Sequence, residues 1–176
     1  MTVYKPAEDS FLLKNHIKDL DLEGKKVLDM GTGSGILAIE ASKEGANVVA
    51  ADINPEAIDF AINKAKTQGL DENIEFIESD LFKNVESVFE FIFFNPPYLP
   101  GQKGIGDEEI WYGGEKGIEL TRKFLESSRE YLSENGKLFV ILSSHADWQP
   151  LIDEYDLEII GSEKLWFETL YLARSK

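Results

Sequence analysis

Cysteine is absent from the 176 residues. That excludes a disulfide framework and any thiolate metal centre. The only histidines are His16 and His145. Two isolated imidazoles do not hold zinc unaided, so no metal site is expected. No apolar run approaches the ~20 residues of a membrane span. The opening "MTVYKPAEDS" lacks the basic start and apolar block of a signal peptide. A cytoplasmic protein with no membrane role is expected. Basic residues are scarce as well: 18 lysines and arginines stand against 33 acids, a net charge of −15. Such a field repels phosphate backbones and counts against a broad nucleic-acid surface. The imbalance is sharpest over residues 71–119, with 12 acids and 3 lysines. That stretch is either a solvated face or a docking surface for a basic protein.

What is present suits one domain spanning residues 1–176, with 43% hydrophobic and 11% aromatic content, enough to bury a core. Strand and helix signals alternate. "PAEDSFLLKNHIKDL" reads as an opening amphipathic helix, "KKVLDM" as a short buried strand, and "ILAIEASKEG" as a helix ended by Gly45. "NVVAAD" is the second strand. In "INPEAIDFAINKAKTQG", Asn54 is a candidate cap, Pro55 takes the first helical position and Gly69 is the stop. "NIEFIES" and "FEFIFF" are the third and fourth strands. "GIELTRKFLESSREYLSENG" reads as a helix closed by Asn135-Gly136, and "KLFVILSS" as the fifth strand. "LEIIGSEKLWFETLYLAR" gives two last strands, too close for a crossover helix and therefore an antiparallel hairpin. This order predicts a three-layer α/β fold around a mainly parallel sheet, the plan of the class I methyltransferases.

In doubly wound sheets ligands bind beyond the carboxyl ends of the strands. Strand one ends in Asp29-Met-Gly31-Thr-Gly33-Ser-Gly35. Glycines there permit a tight turn and close approach of a ligand. The spacing is not the dinucleotide fingerprint, since Ile36 stands where its third glycine would be. Asp29 would oppose a pyrophosphate and favour an ammonium, which selects S-adenosylmethionine over NAD. Strand two ends in Asp52, a carboxylate able to accept both ribose hydroxyls, or alternatively an acid preceding the Asn54-Pro55 helix start. After strand three, Asp80 can accept an adenine amino group, and Leu81 offers a backbone N–H and an apolar wall. Strand four runs into Asn95-Pro96-Pro97-Tyr98. Two prolines stiffen the exit. The Asn95 side-chain oxygen and the Pro96 carbonyl can each accept one hydrogen of a planar NH2 group, and Tyr98 can pack on a flat substrate. Such a nitrogen is a poor nucleophile, so catalysis would rest on alignment and placed dipoles. No strong general base is visible.

The Asn-Pro-Pro-Tyr tetrapeptide, the D-x-G-x-G-x-G loop, the opening "VYKPAEDSFLL" and the later "IWYGGEKGIELTRKFL" together resemble the HemK/PrmC-like methyltransferases, in particular their short archaeal and eukaryotic branch. The resemblance implies a seven-stranded sheet of order 3-2-1-4-5-7-6. It also implies methylation of the glutamine N5 in the Gly-Gly-Gln motif of a translation release factor, from S-adenosyl-L-methionine with S-adenosyl-L-homocysteine as product. By position, Ser10, Gly31 and Gly33 would contact the cofactor. Asp29 would hold its methionine end, Asp52 its ribose, and Asp80 with Leu81 its adenine. Asn95 would lie between cofactor and glutamine amide, with Pro96 and Tyr98 beside it. Tyr4, Pro6, Glu8 and Asp9 would shape a lid within residues 1–20. No separate recognition domain is expected, so the resemblance implies a small zinc-binding activator subunit, for which the edge strand "NIEFIES" is a natural place. The competing readings are an adenine-amino methyltransferase acting on RNA or DNA, disfavoured by the charge, an enzyme acting on another protein side chain, and a cofactor-binding subunit without catalysis, against which Asn95 and Asp29 weigh.

Overall fold

The computed structural model describes residues 8–100 and 112–176. A large sheet is built from β1 (Lys26–Met30), β2 (Asn47–Asp52), β3 (Ile74–Glu78), β4 (Phe89–Phe94), β7 (Leu132–Ser143), β8 (Leu157–Lys164) and β9 (Thr169–Ser175). The order is β3-β2-β1-β4-β7-β9-β8. Numbering these seven alone recovers the expected 3-2-1-4-5-7-6. The unexpected addition is a short parallel pair, β5 (Leu99–Pro100) and β6 (Tyr112–Gly114), set apart from the large sheet. Strands β3 to β7 run parallel, and β9 lies antiparallel between β7 and β8.

Alternation along the strands builds two cores. Val27, Phe93, Phe139 and Ile141 face one side. There they meet Leu13 and Ile17 of α1 (Glu8–Ile17), Leu37 and Ala41 of α2 (Ile36–Lys43), and Ala65 of α3 (Pro55–Lys66). Leu28, Ile92, Phe94, Leu138 and Val140 face the other side, against Phe124 and Leu125 of α4 (Glu119–Ser128) and Leu151 of α5 (Gln149–Glu154). The strands read as near-continuous apolar runs because both faces are covered. Helix α1 is held to α2 by charge as well as by packing. Lys14 and Lys18 stand 3.6 and 3.4 Å from Glu40, whose side chain is buried.

Two expectations are corrected. The α4 helix stops at Ser128, passes through a 3-10 turn at Arg129–Tyr131, and "LSENG" belongs to β7. Tyr131 leaves the helix to stack on Phe82, with centroids 4.4 Å apart. Leu132 then pairs with Phe89, and the register shifts before Phe91. Gly136 sits at this irregularity, where a Cβ would come within 2.9 Å of the Phe89 carbonyl oxygen. The Asn-Gly pair thus serves a strand irregularity and not a helix stop. The second correction is α5, a helix of six residues opened by Pro150, which links β7 to β8 where no helix is predicted.

Candidate active site

The carboxyl ends of β1 to β4 lie side by side, and their loops are stitched to one another. Thr32 N donates to the Ala51 carbonyl at 2.9 Å, Gly33 N to the Asp52 carboxylate at 2.8 Å, and Ser79 N to the Asp52 carbonyl at 2.8 Å. Gly31, Gly33 and Gly35 all adopt left-handed backbone, with φ of 63°, 51° and 73°. A Cβ on Gly35 would meet Ala61 Cβ at 2.9 Å, so the turn packs directly on α3. Lys64 of α3 adds a hydrogen bond to the Ser34 carbonyl at 3.1 Å.

Asp29 lies at the centre of this arrangement and is 0% exposed. Its Oδ2 accepts from Thr32 Oγ1 at 2.6 Å and from Ala38 N, in the first turn of α2, at 3.0 Å. Its Oδ1 is enclosed and has no partner among the described residues. Burial pushes the carboxyl up to about 7. The Thr32 and Ala38 hydrogen bonds hold it back, and the charge of Asp52 adds to the rise. A buried acceptor left open beside a helix N-terminus is costly alone and suits a cation. Thr32 is the residue sequence reasoning misses here. Its signal was a hydroxyl three positions after the acid.

Asp52 uses one oxygen for Gly33 N and the other for Asn54 N at 2.9 Å. Burial raises its pKa, and the backbone donors oppose the rise. The cap of α3 is Asn54, whose Oδ1 accepts from Glu56 N at 3.0 Å, so the helix-start role belongs to Asn54 and not to Asp52. Beyond β3, Asp80 is exposed and Leu81 has a left-handed φ of 49°. For a non-glycine residue that costs roughly 1–2 kcal/mol. Ser79 and Asn84 hold it there: Ser79 Oγ donates to the Leu81 carbonyl at 2.6 Å and accepts from Asn84 N at 3.0 Å, and Asn84 Nδ2 donates to the Glu78 carbonyl at 2.8 Å.

Beyond β4, Pro96 is buried, and Asn95 and Tyr98 are half-buried. Tyr98 packs on the core beneath α1. Asn95 Nδ2 donates to the Oγ of Ser10, itself 3% exposed, at 3.2 Å. Asn95 Oδ1 is enclosed and has no partner among the described residues. The site side chains at the four strand ends and Ser10 of α1 are thus disposed along one edge of the sheet. Tyr4 and Pro6 lie outside the described residues, as do the Glu8 and Asp9 side chains. His16 packs tilted against Phe139, with ring centroids 5.3 Å apart. No cluster of potential metal ligands occurs among the described residues. Two surface hollows, of about 380 and 250 Å³, open at the opposite edge around Lys25, Glu90 and Lys26 and bring no such groups together.

Two glycines pack directly against the Asn95 loop, and the reason for glycine at each is spatial. A Cβ on Gly113 would lie 2.5 Å from the Pro97 carbonyl oxygen, and one on Gly117 would lie 2.3 Å from that of Tyr98. Gly117 also has a φ of 75°. Alanine at Gly117 must displace the Asn95–Tyr98 loop. If that loop holds the methyl acceptor, as the sequence resemblance implies, the variant should lower methyl transfer about a hundredfold with cofactor affinity changed much less, as read by single-turnover rates and calorimetry on the same variant.

Comparison with known proteins identifies the family. The family described as the methyltransferase small domain matches residues 7–159. A Methanocaldococcus jannaschii protein, provisionally named a protein N5-glutamine methyltransferase, is 38% identical over 98% of this chain and 91% of its own. The release factor glutamine methyltransferase of Deinococcus radiodurans is 34% identical over 77% of this chain, which spans about half (52%) of that enzyme's length. Among solved structures, the E. cuniculi Mtq2-Trm112 complex, described as responsible for methylating the termination factor eRF1, aligns with a TM-score of 0.79 at 24% identity. That alignment covers 100% of this chain and 99% of the other, a likeness of fold. The chain belongs to the methyltransferase small-domain family and, within it, to the protein N5-glutamine methyltransferases.

Proposed function

We propose that this chain methylates the side-chain amide nitrogen of the glutamine in the Gly-Gly-Gln motif of a translation release factor. The observation that carries the reading is Asn95, an amide whose donor end is tied to Ser10 and whose acceptor end is open and enclosed. An NH2 group between Asn95 Oδ1 and the Pro96 carbonyl would be fixed in orientation, with its lone pair favoured in one direction. S-adenosylmethionine supplies a methyl group activated by its sulfonium and leaves as S-adenosylhomocysteine. The residues fit that group. The open oxygen of Asp29 suits its ammonium, and with Gly31 and Gly33 holds the methionine end. Asp52 keeps acceptor capacity on both oxygens for the ribose hydroxyls. Asp80 and the Leu81 N–H take the adenine. Once methylation has made the amide nitrogen cationic, its excess proton is acidic and passes to solvent, so no general base is called for. A net charge of −15 favours a basic protein surface over a nucleic acid.

A small zinc-binding activator subunit is part of the proposal. Among the described residues strand β3 pairs on one side only, with β2, and an outer edge of this kind suits strand addition. Labelled S-adenosylmethionine would be incubated with the chain, a release factor and its Gln→Ala variant at Gly-Gly-Gln, each with and without the subunit. Label on the wild-type factor alone is expected. Label on bare RNA or DNA would favour the adenine reading, and label on both factors would place the acceptor elsewhere.

A further inference from the structure

We infer that Trp166 and Phe167, at the tip of the β8–β9 hairpin, form a docking point for the protein that carries the methyl acceptor, with a basic side chain of that protein laid on the indole. The inference rests on the reading of the chain as a methyltransferase of a release-factor glutamine. It concerns how the protein around that glutamine is held.

Turn chemistry does not ask for this pair. The two residues are the loop of a tight hairpin, closed by Leu165 N donating to the Glu168 carbonyl at 2.7 Å. Loops of this length favour glycine and asparagine, and neither aromatic takes left-handed backbone. Packing does not ask for it either. Trp166 is fully exposed and Phe167 is 76% exposed, more than any other large apolar side chain among the described residues. Yet the tip is firmly placed. Thr169 N donates to Ser144 Oγ and Ser144 N to the Thr169 carbonyl, each at 2.9 Å, and Glu168 is hydrogen-bonded to the buried Ser143 hydroxyl. Aromatic surface held out on a fixed support is what interface hot spots are made of.

Position selects the partner. Phe94, the last residue of β4, is level with Val140 of β7, whereas the pairing of β7 with β9 continues to Ser143 and Leu170. At ~3.3 Å per residue, those further positions raise the hairpin about 10 Å beyond the end of β4. Strand β9 is two places from β4 in the sheet, about 10 Å sideways. The turn after β7 bridges the gap. Asp147 N donates to the Lys116 carbonyl at 3.2 Å, and a Cβ on Gly117 would lie 3.0 Å from Ala146 Cβ. A folded protein laid over Asn95 therefore meets the hairpin tip. Charge gives that protein a sign. Glu115, Asp147, Glu163 and Glu168 stand against Lys116 and Lys164 at this corner, in a chain of net charge −15. An exposed indole among acids suits an arginine or a lysine, by cation–π attraction and by steering.

The test uses the full chain, with the activator subunit wherever turnover requires it, and a release factor as acceptor. Trp166→Ala should raise KM for the factor about tenfold, and Trp166→Ala combined with Phe167→Ala about thirtyfold. In both, kcat and cofactor affinity should stay within about threefold, and the melting temperature should not move. Trp166→Tyr keeps an aromatic face and should hold KM within about threefold of wild type. Trp166→Lys should raise KM at least as much as Trp166→Ala; a lower KM than in Trp166→Ala would mean that the facing surface is not basic and would overturn the inference. An unchanged KM in the double variant, with the wild type active, overturns it too and leaves the functional reading intact. Sedimentation velocity covers the other occupants. A wild-type dimer lost in the double variant gives the pair to a second copy of the chain, and loss of the subunit gives it to the subunit; either result defeats the inference. A wild-type chain that methylates no release factor sinks the functional reading, and the docking point with it.

Discussion

Replacing Asn95 by alanine is expected to lower kcat about a thousandfold, with cofactor affinity held within about tenfold. An amide nitrogen is a weak nucleophile because its lone pair is shared with the carbonyl. Attack needs that nitrogen aligned and the charge growing on it offset by acceptors already in place. In the proposed reading Asn95 Oδ1 is one of two such acceptors, and the Pro96 carbonyl alone would not fix the plane of an NH2 group. Stability should move little. Asn95 Oδ1 satisfies no other described group, and the hydrogen bond that the variant removes is the one from Nδ2 to Ser10 Oγ. Loss of an unpaired buried acceptor is not destabilising in itself, and the melting temperature should stay within what ~1 kcal/mol produces. Single-turnover rates, cofactor titration and a thermal melt on one preparation check all three statements. A variant that turns over at the wild-type rate would remove Asn95 from the chemistry.

The second large effect is at Asp29. Its carboxyl has a pKa raised from 3.8 to about 7 by burial. Because the folded-state value is the higher one, the folded protein binds this proton more tightly than the unfolded chain does. The group's contribution to stability is full below the unfolded pKa, near 4, and is lost as pH rises through about 7. The loss is on the order of 4 kcal/mol as a ceiling. Asp29→Asn has no such proton to lose. Without cofactor it should match or exceed the wild type in stability at pH 8, and the gap between the two should narrow toward pH 5. Asp52 also has a raised pKa, but it is present in both proteins and cancels from the comparison. The cofactor ammonium wants the carboxylate ionised. Wild-type affinity should therefore tighten as pH rises through 7, with proton release on binding, and Asp29→Asn should bind about a hundredfold more weakly with a flat profile. Calorimetry in two buffers of different ionisation enthalpy measures the proton directly. Parallel stability curves for the two proteins from pH 5 to 8 would overturn the assignment.

Local chemistry was readable wherever one residue type has one use. Asn54-Pro55 marks a helix start, and Asn54 caps α3. Apolar runs bounded by glycine or acid mark the buried strands. Asn135-Gly136 misleads because the same pair that ends a helix also suits a strand irregularity, and the choice is made by Tyr131 stacking on Phe82. Helix α5 is too short to show a period. In the site, Asp29, Asp52 and Asn95 stand at strand ends and could be placed from the pattern alone. The depth of Asp29, and its double use by Thr32 and Ala38, depend on how the loop folds back over the strand. The demand for glycine at 113 and 117 depends on two carbonyl groups of another segment. Ser10 and Asn95 are separated by 85 residues, and nothing in either neighbourhood names the other.

The last strand has a practical bearing. β9 enters beside Ser143 at the edge of the sheet that holds the site and runs away from it, and Lys176 N bonds to the Asp156 carbonyl at the far edge. A tether, tag or sensor surface attached at Lys176 would therefore sit at the edge of the sheet opposite the strand ends that carry Asp29, Asp52 and Asn95, and leave those ends facing outward. An attachment ahead of α1 would enter within a few residues of Ser10.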